Sequence, residues 1–443
     1  MPSTYRLAVI APRYNDGIVG GSEQYLRCVL GGLCRRGVRV TVLTTCDTSV
    51  GFDGWQGLTW PNALRPDDEE GPPAVRRHPC LSIPRRLRQL AARDVTRSLG
   101  RAAALCPLPT DGDGLPTRFL AERLDASLSA WSGRAAAADA ILKGPFSPSL
   151  LGAAIDEARE SDVVLATNVP FLSLSYGLIA ARLTGRPFLA MPFFHLRDQY
   201  HHRPVYRAVL RRADRVLCLG RAMKSFVEEV WGGHGAYVGG GIDPAELTAE
   251  KISGKKFRDE NLLGSAPIVL FVGRKTPSKG YGMLLEAFER VVERIPSCRL
   301  VMIGPDEDRR PVAGRGVLYL GEQPRSKVLD AFDACDVFVL PSLFESFGLV
   351  FLEAWMRGKP VVGHAGAEAA RAMIDEGRDG ELASTPEGLA GSICALLSDP
   401  ERRRAMGEAG RMKTLTQYTW DIVVERFRTV IEQVAGRTPG ESG

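Results

Sequence analysis

The chain has 443 residues, 44% of them hydrophobic and 25% charged, which is the composition of a globular protein with room for two domains of about 200 residues each. Its formal net charge is only +5, and this argues against a dedicated nucleic-acid-binding protein. Nine cysteines stand without CxxC or metal-finger spacing. They predict reduced, buried thiols and, with no signal-peptide pattern before the first strand, a cytoplasmic protein.

Short apolar runs alternate with helical patterns along the whole chain. They read RLAVIAP, VRVTVLTT, DVVLATN, PFLAMPF and RVLCLG in the first half, and PIVLFVG, RLVMIGP, VLYLG, DVFVLPS and KPVVGH in the second. Because these runs are apolar at nearly every position, they predict strands covered on both faces, and hence parallel sheets of the α/β class. The polar, glycine-rich segment 241–262 lies between the two sets and predicts a linker.

This pattern predicts two Rossmann-like doubly wound domains in series, residues 1–245 and 246–415. Ligands bind doubly wound sheets at the carboxyl ends of the strands. We therefore expect both domains to face a central cleft. A last amphipathic helix, predicted over residues 416–436, needs an apolar surface to cover and is expected to pack back towards the first domain.

A glycine-rich turn follows the first strand. Gly17, Gly20 and Gly21 precede Ser22, which can cap a helix, so the backbone can approach a ligand closely there. The spacing is not that of a dinucleotide fingerprint. Asp47 nevertheless stands where such a fold places its ribose-binding acid, so a nicotinamide site is an open alternative.

An arginine-rich segment runs from Arg85 to Arg101 with apolar residues at helical spacing. A solvated helix face explains such a pattern, and a docking surface for anionic lipid or an anionic acceptor is the alternative.

Three histidines follow the strand PFLAMPF. His195 stands at a predicted strand end, where an imidazole can hydrogen-bond a substrate, although a structural histidine is the alternative. His201 and His202 suggest a metal site, but no well-spaced cysteine or carboxylate accompanies them. The pair Asp111 and Asp113 imitates the D-x-D of metal-dependent sugar transferases, yet it stands in a Pro- and Gly-rich loop. We therefore predict no metal site.

The stretch FVGRKTPSKGYGMLLEAF places Arg274 and Lys279 around a Pro-Ser turn, between a strand and an amphipathic helix. Solvated side chains are the common explanation of such a pair. An anion held by both is the alternative, provided that another segment completes the site.

The stretch DVFVLPSLFESFGLVFLEAW supplies that segment. It predicts a buried strand followed by a helix that begins near residues 346–348 and ends at Gly358. The backbone N–H groups of residues 347–349, Phe347, Gly348 and Leu349, would then form an anion site at the helix amino terminus. Glu345 precedes the helix and Glu353 lies eight residues further on, so the two carboxylates are expected to have separate roles.

Together these motifs resemble the retaining glycosyltransferases of family 4, of the glycosyl transferases group 1, which have the GT-B architecture. The E-x7-E pattern of Glu345 and Glu353 and the G-R-x4-K-G pattern of residues 273–280 carry the resemblance. PFFHLRD and ADRVLCLGRAMKSF support it. The segment VGGGID departs from it, since many members have an asparagine before the final glycine.

The resemblance implies an enzyme that moves a sugar from a UDP- or GDP-sugar to a hydroxyl of a glycan, a lipid-linked acceptor or a small molecule, with retention and without a metal or other cofactor. It implies that the diphosphate is bound by Arg274, Lys279, the backbone of Phe347, Gly348 and Leu349, and the Gly20–Gly21 turn. It implies further that Glu353 binds the ribose and that Glu345 lies near the transferred sugar. His195 would then contact the sugar and acceptor side. The favoured account is a same-face displacement in which the leaving phosphate helps to deprotonate the acceptor.

Two alternatives remain open at this point. One is a sugar-nucleotide epimerase of the same architecture, and the other is a non-catalytic nucleotide-sugar-binding protein. The base, the sugar and the acceptor are not identified by the sequence. Nucleic acid is not expected as a partner, and peripheral membrane contact through Arg85–Arg101 is an open expectation.

Overall fold

The computed structural model describes residues 5–14, 21–46, 68–69, 72–81, 93, 95, 97–98, 101, 132–194, 202–249, 251–343, 345 and 347–436. The chain divides into two compact units. The first comprises the described residues up to Gly239 together with the terminal helix from Val423, and the second is Gly240–Ile422.

The first unit is built on an eight-stranded sheet. Its strands are β1 (Arg6–Ile10), β2 (Arg39–Thr45), β3 (Asp68–Glu69), β4 (Ala74–His78), β5 (Val163–Thr167), β6 (Phe188–Met191), β7 (Arg215–Cys218) and β8 (Gly235–Tyr237). The order across the sheet is β3-β4-β2-β1-β5-β6-β7-β8. The pair of β3 and β4 is antiparallel, and all other pairs are parallel.

Helices connect these strands, as parallel pairing requires. They are α1 (Gly21–Arg35), α2 (Gly133–Lys143), α3 (Pro148–Glu160), α4 (Ser173–Thr184), α5 (Pro204–Leu210) and α6 (Arg221–Glu229). The apolar stripe of α1 is buried, as its spacing predicts. On its other side Gly32 lies against Val424 of the terminal helix. A Cβ at Gly32 would stand 2.4 Å from a Val424 methyl, so only glycine permits this approach.

The second unit is built on a six-stranded, fully parallel sheet. Its strands are β9 (Ile268–Val272), β10 (Arg299–Ile303), β11 (Val317–Tyr319), β12 (Val337–Leu340), β13 (Val361–His364) and β14 (Gly380–Ala383). The order is β11-β10-β9-β12-β13-β14. The chain therefore reverses its direction of travel across the sheet between β9 and β12, which makes that pair the topological switch point.

The remaining helices flank this sheet or end the chain. They are α7 (Pro244–Leu247), α8 (Gly254–Glu260), α9 (Tyr281–Arg294), α10 (Arg325–Ala334), α11 (Leu349–Met356), α12 (Glu368–Met373), α13 (Pro386–Ser398), α14 (Pro400–Gln417) and α15 (Trp420–Ala435). None of the described helices combines the length and apolar character needed to cross a membrane.

The α/β class with two doubly wound, mainly parallel sheets is confirmed, and all ten predicted strands are present. The predicted linker over 241–262 is wrong, because this segment folds into α7 and α8. The start of α8 is held by Asp330 and Asp333 of α10, which accept from the backbone N–H groups of Ser253 and Gly254 at 2.7 Å each. The units divide at Gly239, whereas the predicted boundary at residue 245 lies inside α7.

The described cysteines are free thiols, and six of these eight are buried. Cys28 and Cys34 are only half-buried, so the prediction that every cysteine is buried is wrong for these two residues of α1.

Candidate functional site

The switch point of the second unit brings together the two motifs singled out in its sequence. Strands β9 and β12 pair directly, with Leu270 opposite Phe338. Parallel neighbours end at the same edge of the sheet. The loop 273–280 after β9 and the loop that begins at Pro341 after β12 therefore leave the sheet side by side, at the position where doubly wound sheets bind ligands.

Hydrogen bonds join the two loops. The backbone N–H of Leu343 donates to the carbonyl oxygen of Ser278 at 3.0 Å, and Ser342 Oγ donates to the same oxygen at 3.3 Å. Gly280 has φ of +71°, and a Cβ there would stand 1.9 Å from the carbonyl oxygen of Pro341. Glycine at this position is thus required both by backbone conformation and by the approach of the second loop.

The first contact between the motifs is an ion pair. Lys279 Nζ donates to Glu345 Oε2 at 2.6 Å, and the two side chains are 17% and 16% exposed. The pair connects the G-R-x4-K-G loop to the first glutamate of the E-x7-E pattern.

Arg274 has a different environment. Its guanidinium lies 3.2 Å from Glu307 Oε1, and its side chain is 60% exposed. An exposed pair of this kind contributes about 0–1 kcal/mol to stability, so the guanidinium can leave Glu307 for another anion at little cost.

Lys275, the next residue, was not singled out by the sequence. Its side chain is fully buried, and Nζ donates to Asp308 Oδ1 and lies 2.7 Å from Asp306 Oδ1. Burial acts to lower the pKa of Lys275, but the bonds to the two aspartates outweigh it, so the pKa is raised. Bonds from Lys275 and Tyr281 lower the pKa of Asp308 to about 2.

The amino terminus of α11 supplies further donors. The helix begins at Leu349 after Gly348, whose φ is +86° and which provides no side-chain cap. Among the described residues, none accepts a hydrogen bond from the backbone N–H of Phe347, Gly348 or Leu349. The Phe347 ring is buried and packs edge-on against Tyr418 at 5.8 Å between centroids. It thereby fixes the start of the helix.

Glu353 lies on α11 and is buried. Arg325 Nη1 lies 2.7 Å from Glu353 Oε1, while Arg325 Nε donates to Glu246 Oε1 at 2.9 Å. Burial raises the pKa of Glu353, and Arg325 partly offsets this effect. The two glutamates of the motif are therefore held by different cations. Arg325 was missed because its partners lie far along the chain: Glu246 is 79 residues away in α7, and Glu353 is on α11.

The predicted residues of the first unit are only partly described. Gly20 and His195 lie outside the described residues. Gly21 is the first residue of α1 and is exposed, with no atom within 4 Å of a Cβ placed there. The approach of a ligand to this turn stays a prediction.

The residues considered for a metal are placed as follows. Asp111, Asp113 and His201 lie outside the described residues. His202 is buried among aromatic rings, with centroids 5.5 Å from Phe226 and 5.8 Å from Trp231. Within the described part of the chain, no three His, Cys, Asp or Glu side chains come together as metal ligands.

The arginine-rich segment is described at a few positions only. Arg93, Arg97 and Arg101 are helical and exposed, and Val95 between them is buried. Arg85, Arg86 and Arg88 lie outside the described residues. The amphipathic helix is supported at these four positions, and its contact with lipid stays a prediction.

Residues 253–413 match the family model described as "Glycosyl transferases group 1". The chain is 28% identical over 240 residues to the GDP-mannose-dependent α-(1-6)-phosphatidylinositol monomannoside mannosyltransferase of Mycolicibacterium smegmatis. This match covers 49% of this chain and 63% of that protein. It is 30% identical over 269 residues to the D-inositol 3-phosphate glycosyltransferase of Corynebacterium urealyticum. This match covers 53% of this chain and 62% of that protein. The chain thus spans less than two thirds of these relatives.

Solved structures show the fold. The Anabaena protein HepE, solved in complex with UDP and glucose, superposes with a TM-score of 0.62 at 17% identity, covering 97% of this chain and 100% of that one. This likeness confirms the predicted GT-B fold. The predicted resemblance is confirmed over residues 253–413, the part of the chain that contains both site motifs and matches the glycosyl transferases group 1 model.

Proposed function

We propose that the chain is a retaining glycosyltransferase that moves a sugar from a nucleoside-diphosphate sugar to a hydroxyl acceptor. One observation carries this proposal. At the switch point of the family-matched unit, two hydrogen-bonded loops bring together the cation Lys279, the carboxylate Glu345 and the amino terminus of α11. Cations and helix amino termini at a switch point bind phosphate groups.

The diphosphate is assigned to Arg274, Lys279 and the backbone N–H groups of residues 347–349. Arg274 is exposed and weakly paired, and Lys279 has a carboxylate partner that a phosphate can replace. Lys275 is excluded from this role because it is buried. The cations and the helix terminus together supply the positive potential that a diphosphate needs.

The reaction then follows from where charge develops. The acceptor oxygen bonds to the anomeric carbon on the face from which the nucleoside diphosphate leaves, the bond from that carbon to the phosphate oxygen breaks, and the acceptor proton passes to that oxygen. Negative charge grows on the leaving diphosphate, so fixed cations stabilise the transition state more than the bound donor. This displacement needs no metal to carry the charge.

The remaining roles are proposals of the same kind. Glu353, whose Oε1 lies 2.7 Å from Arg325 Nη1, is assigned to accept hydrogen bonds from the ribose hydroxyls. Glu345 lies near the transferred sugar. His195 is assigned to the sugar and acceptor side, and the Gly20–Gly21 turn to the diphosphate.

The names of the relatives suggest where to look for substrates. Relatives are named for GDP-mannose as donor and for inositol-containing acceptors, and a fold neighbour was solved with UDP. We propose a UDP- or GDP-sugar as donor, with GDP-mannose to be tested first. The acceptor is a glycan, a lipid-linked hydroxyl or a small molecule, and inositol phosphates and phosphatidylinositol are the first to test. A cytoplasmic enzyme touching anionic lipid through Arg85–Arg101 would suit a lipid acceptor.

The test begins with binding. UDP, GDP and their sugars are screened by thermal shift, since a ligand at 100 times its dissociation constant adds about 2.7 kcal/mol of stability. The protein is then incubated with the donor that binds, with and without acceptor. Free nucleotide and an α-linked product from an α-linked donor support a retaining transferase. Epimerised sugar without transfer indicates an epimerase, and binding without turnover indicates a non-catalytic protein.

A further inference from the structure

Lys275 lies between the two proposed diphosphate-binding cations, and its three ammonium protons all have acceptors. Nζ donates to Asp308 Oδ1 and to the carbonyl oxygen of Arg310 at 2.7 Å, and it lies 2.7 Å from Asp306 Oδ1. These acceptors belong to one loop, which follows β10. Because the side chain is fully buried, Lys275 cannot itself contact a donor.

The same network reaches the start of α9. Tyr281, the first residue of that helix, donates from its hydroxyl to Asp308 Oδ2. The backbone N–H of Lys275 donates to the carbonyl oxygen of Pro305 at 2.9 Å, so the β10 loop binds both backbone and side chain at this point. Asp308 therefore fixes both ends of the segment 275–281, which contains Lys279.

Arg274 and Lys275 have opposite environments although they are neighbours in the sequence. The Arg274 side chain is 60% exposed, whereas that of Lys275 is fully buried. The backbone N–H of Thr276 donates to the carbonyl oxygen of Arg274 at 2.9 Å, so a three-residue turn closes around Lys275. The anchored ammonium of Lys275 therefore fixes the turn from which Arg274 projects and the segment that carries Lys279.

We propose that Lys275 is a positioning residue: by tying the loop after β9 to the loop after β10, it holds Arg274 and Lys279 in the arrangement that binds the donor diphosphate. This inference rests on the proposed function. It assigns the three cations of the loop to two tasks, since Arg274 and Lys279 bind the ligand and Lys275 binds only the protein.

The chain offers a matched control in the same unit. Lys413 of α14 also donates to two carboxylates and one carbonyl, with 2.8 Å to each of Asp375 and Asp379, and with the carbonyl oxygen of Met373 as third acceptor. Lys275→Met and Lys413→Met each remove an ammonium from such a site. Both are expected to lower unfolding stability, but only Lys275→Met should affect nucleotide binding.

The measurement is the dissociation constant of UDP and GDP by calorimetry, at a temperature where circular dichroism shows every variant to be folded. Lys275→Met should raise the constant by about tenfold or more, the effect of losing one charge-assisted contact, and Lys413→Met should leave it unchanged. In a mutant cycle, Lys275→Met should add little to a variant that carries both Arg274→Ala and Lys279→Ala, because Lys275 acts through these two cations. Tyr281→Phe, which keeps the ring, should show a smaller shift in the same direction, and it decides the matter if Lys275→Met does not fold.

The outcomes separate the two proposals. A wild-type chain that binds neither UDP nor GDP overturns the proposed function and this inference with it. If the wild type binds, but Lys275→Met and Tyr281→Phe change the dissociation constant no more than Lys413→Met does, this inference alone is overturned. The inference is also overturned if Lys275→Met weakens binding as much in the variant with both Arg274→Ala and Lys279→Ala as it does in the wild type, since Lys275 would then act independently of both cations.

Discussion

Lys279 donates from Nζ to Glu345 Oε2 at 2.6 Å, and each side chain is largely shielded from solvent. The cation of one motif is thereby neutralised by the carboxylate of the other. A diphosphate that binds Lys279 has to share it with Glu345 or displace Glu345. The first glutamate of the E-x7-E pattern is therefore expected to influence donor affinity as well as turnover.

Glu345→Gln should separate these two effects. Removing the charge frees Lys279 of a competing pair worth about 0.5–1 kcal/mol, so UDP and GDP should bind about two- to fivefold more tightly. Sugar transfer should nevertheless slow by about tenfold or more, because Glu345 is proposed to lie near the transferred sugar. Calorimetry and a transfer assay measure the two quantities. The control is Glu381→Gln, which alters a glutamate paired with Arg402 in the same unit and should change neither nucleotide affinity nor transfer rate. Weaker nucleotide binding by Glu345→Gln would show that Glu345 does not compete with the diphosphate for Lys279.

Arg274→Ala should reduce transfer without reducing stability. Its pair with Glu307 is exposed, so the melting temperature should stay near that of the wild type. Loss of one charge-assisted contact to the leaving phosphate should cost about 1.5–3 kcal/mol, or about 10- to 150-fold in rate. Arg290→Ala removes a comparably exposed pair with Glu387 and serves as the control. Equal rates for the two variants would remove Arg274 from the site.

The strands that sequence patterns predicted and those they missed differ in where they lie. The ten predicted strands include every central strand, where both faces are covered and the run is apolar throughout. The missed strands β3, β4, β8 and β14 lie at or next to sheet edges. In β4, Ala74–His78, only Val75 is buried. Most strands near an edge carry no continuous apolar run, so sequence patterns do not distinguish them from loops. The edge strand β11 is the exception, because its residues Val317–Tyr319 are apolar although they are only half-buried.

The candidate site divides in the same way. Arg274, Lys279 and the two glutamates were predicted because each stands in a short motif next to a strand end. Lys275 was missed because its partners Asp306, Asp308 and Arg310 stand far from it in the sequence, and a lysine in a polar turn is normally solvated. Arg325 was missed for the same reason. Long-range pairing of charges decides which cations are free to bind a ligand, and a local pattern does not contain it.

Glu353→Gln should weaken UDP and GDP binding by about 1.5–3 kcal/mol, since an amide is a poorer acceptor for the ribose hydroxyls. Burial raises the pKa of Glu353. As the pH falls, the ionised form that binds ribose is therefore lost at a higher pH than in an ordinary glutamate. Wild-type affinity should decline on mild acidification, and the affinity of Glu353→Gln should decline less. Parallel pH profiles in a calorimetric titration would contradict the ribose assignment.

The same pKa has the opposite consequence for stability. A carboxyl whose folded-state pKa is raised stabilises the fold below its unfolded pKa and loses that contribution as the pH rises through the folded pKa. The wild type should therefore lose unfolding free energy relative to Glu353→Gln as the pH rises through this window. Urea denaturation of both proteins checks the sign, and a relative gain by the wild type would mean that Arg325 outweighs burial.

Gly280→Ala should be strongly destabilising. It places a side chain at φ of +71° and a Cβ 1.9 Å from the carbonyl oxygen of Pro341, so the two site loops must separate. The left-handed conformation alone costs about 1–2 kcal/mol, and the displaced loop should also weaken UDP binding. Gly282→Ala, two residues on, meets no atom within 4 Å and lies in α9, so it should be neutral or stabilising by up to about 1 kcal/mol. Similar denaturation midpoints for the two variants would contradict the close packing of the loops.

The last prediction concerns metal. A departing nucleoside diphosphate has to be neutralised, and proteins do this either with a divalent ion or with fixed cations and helix termini. Arg274, Lys279 and the amino terminus of α11 are all placed after the ends of two adjacent strands of one sheet, and we assign the neutralisation to them. Sugar transfer, or donor hydrolysis where the acceptor is unknown, should then proceed at an undiminished rate in excess EDTA, while Lys279→Ala loses about 10- to 150-fold with or without EDTA. Abolition of the wild-type rate by EDTA and its rescue by Mg²⁺ or Mn²⁺ would overturn the assignment and make Asp111 and Asp113 the residues to substitute next.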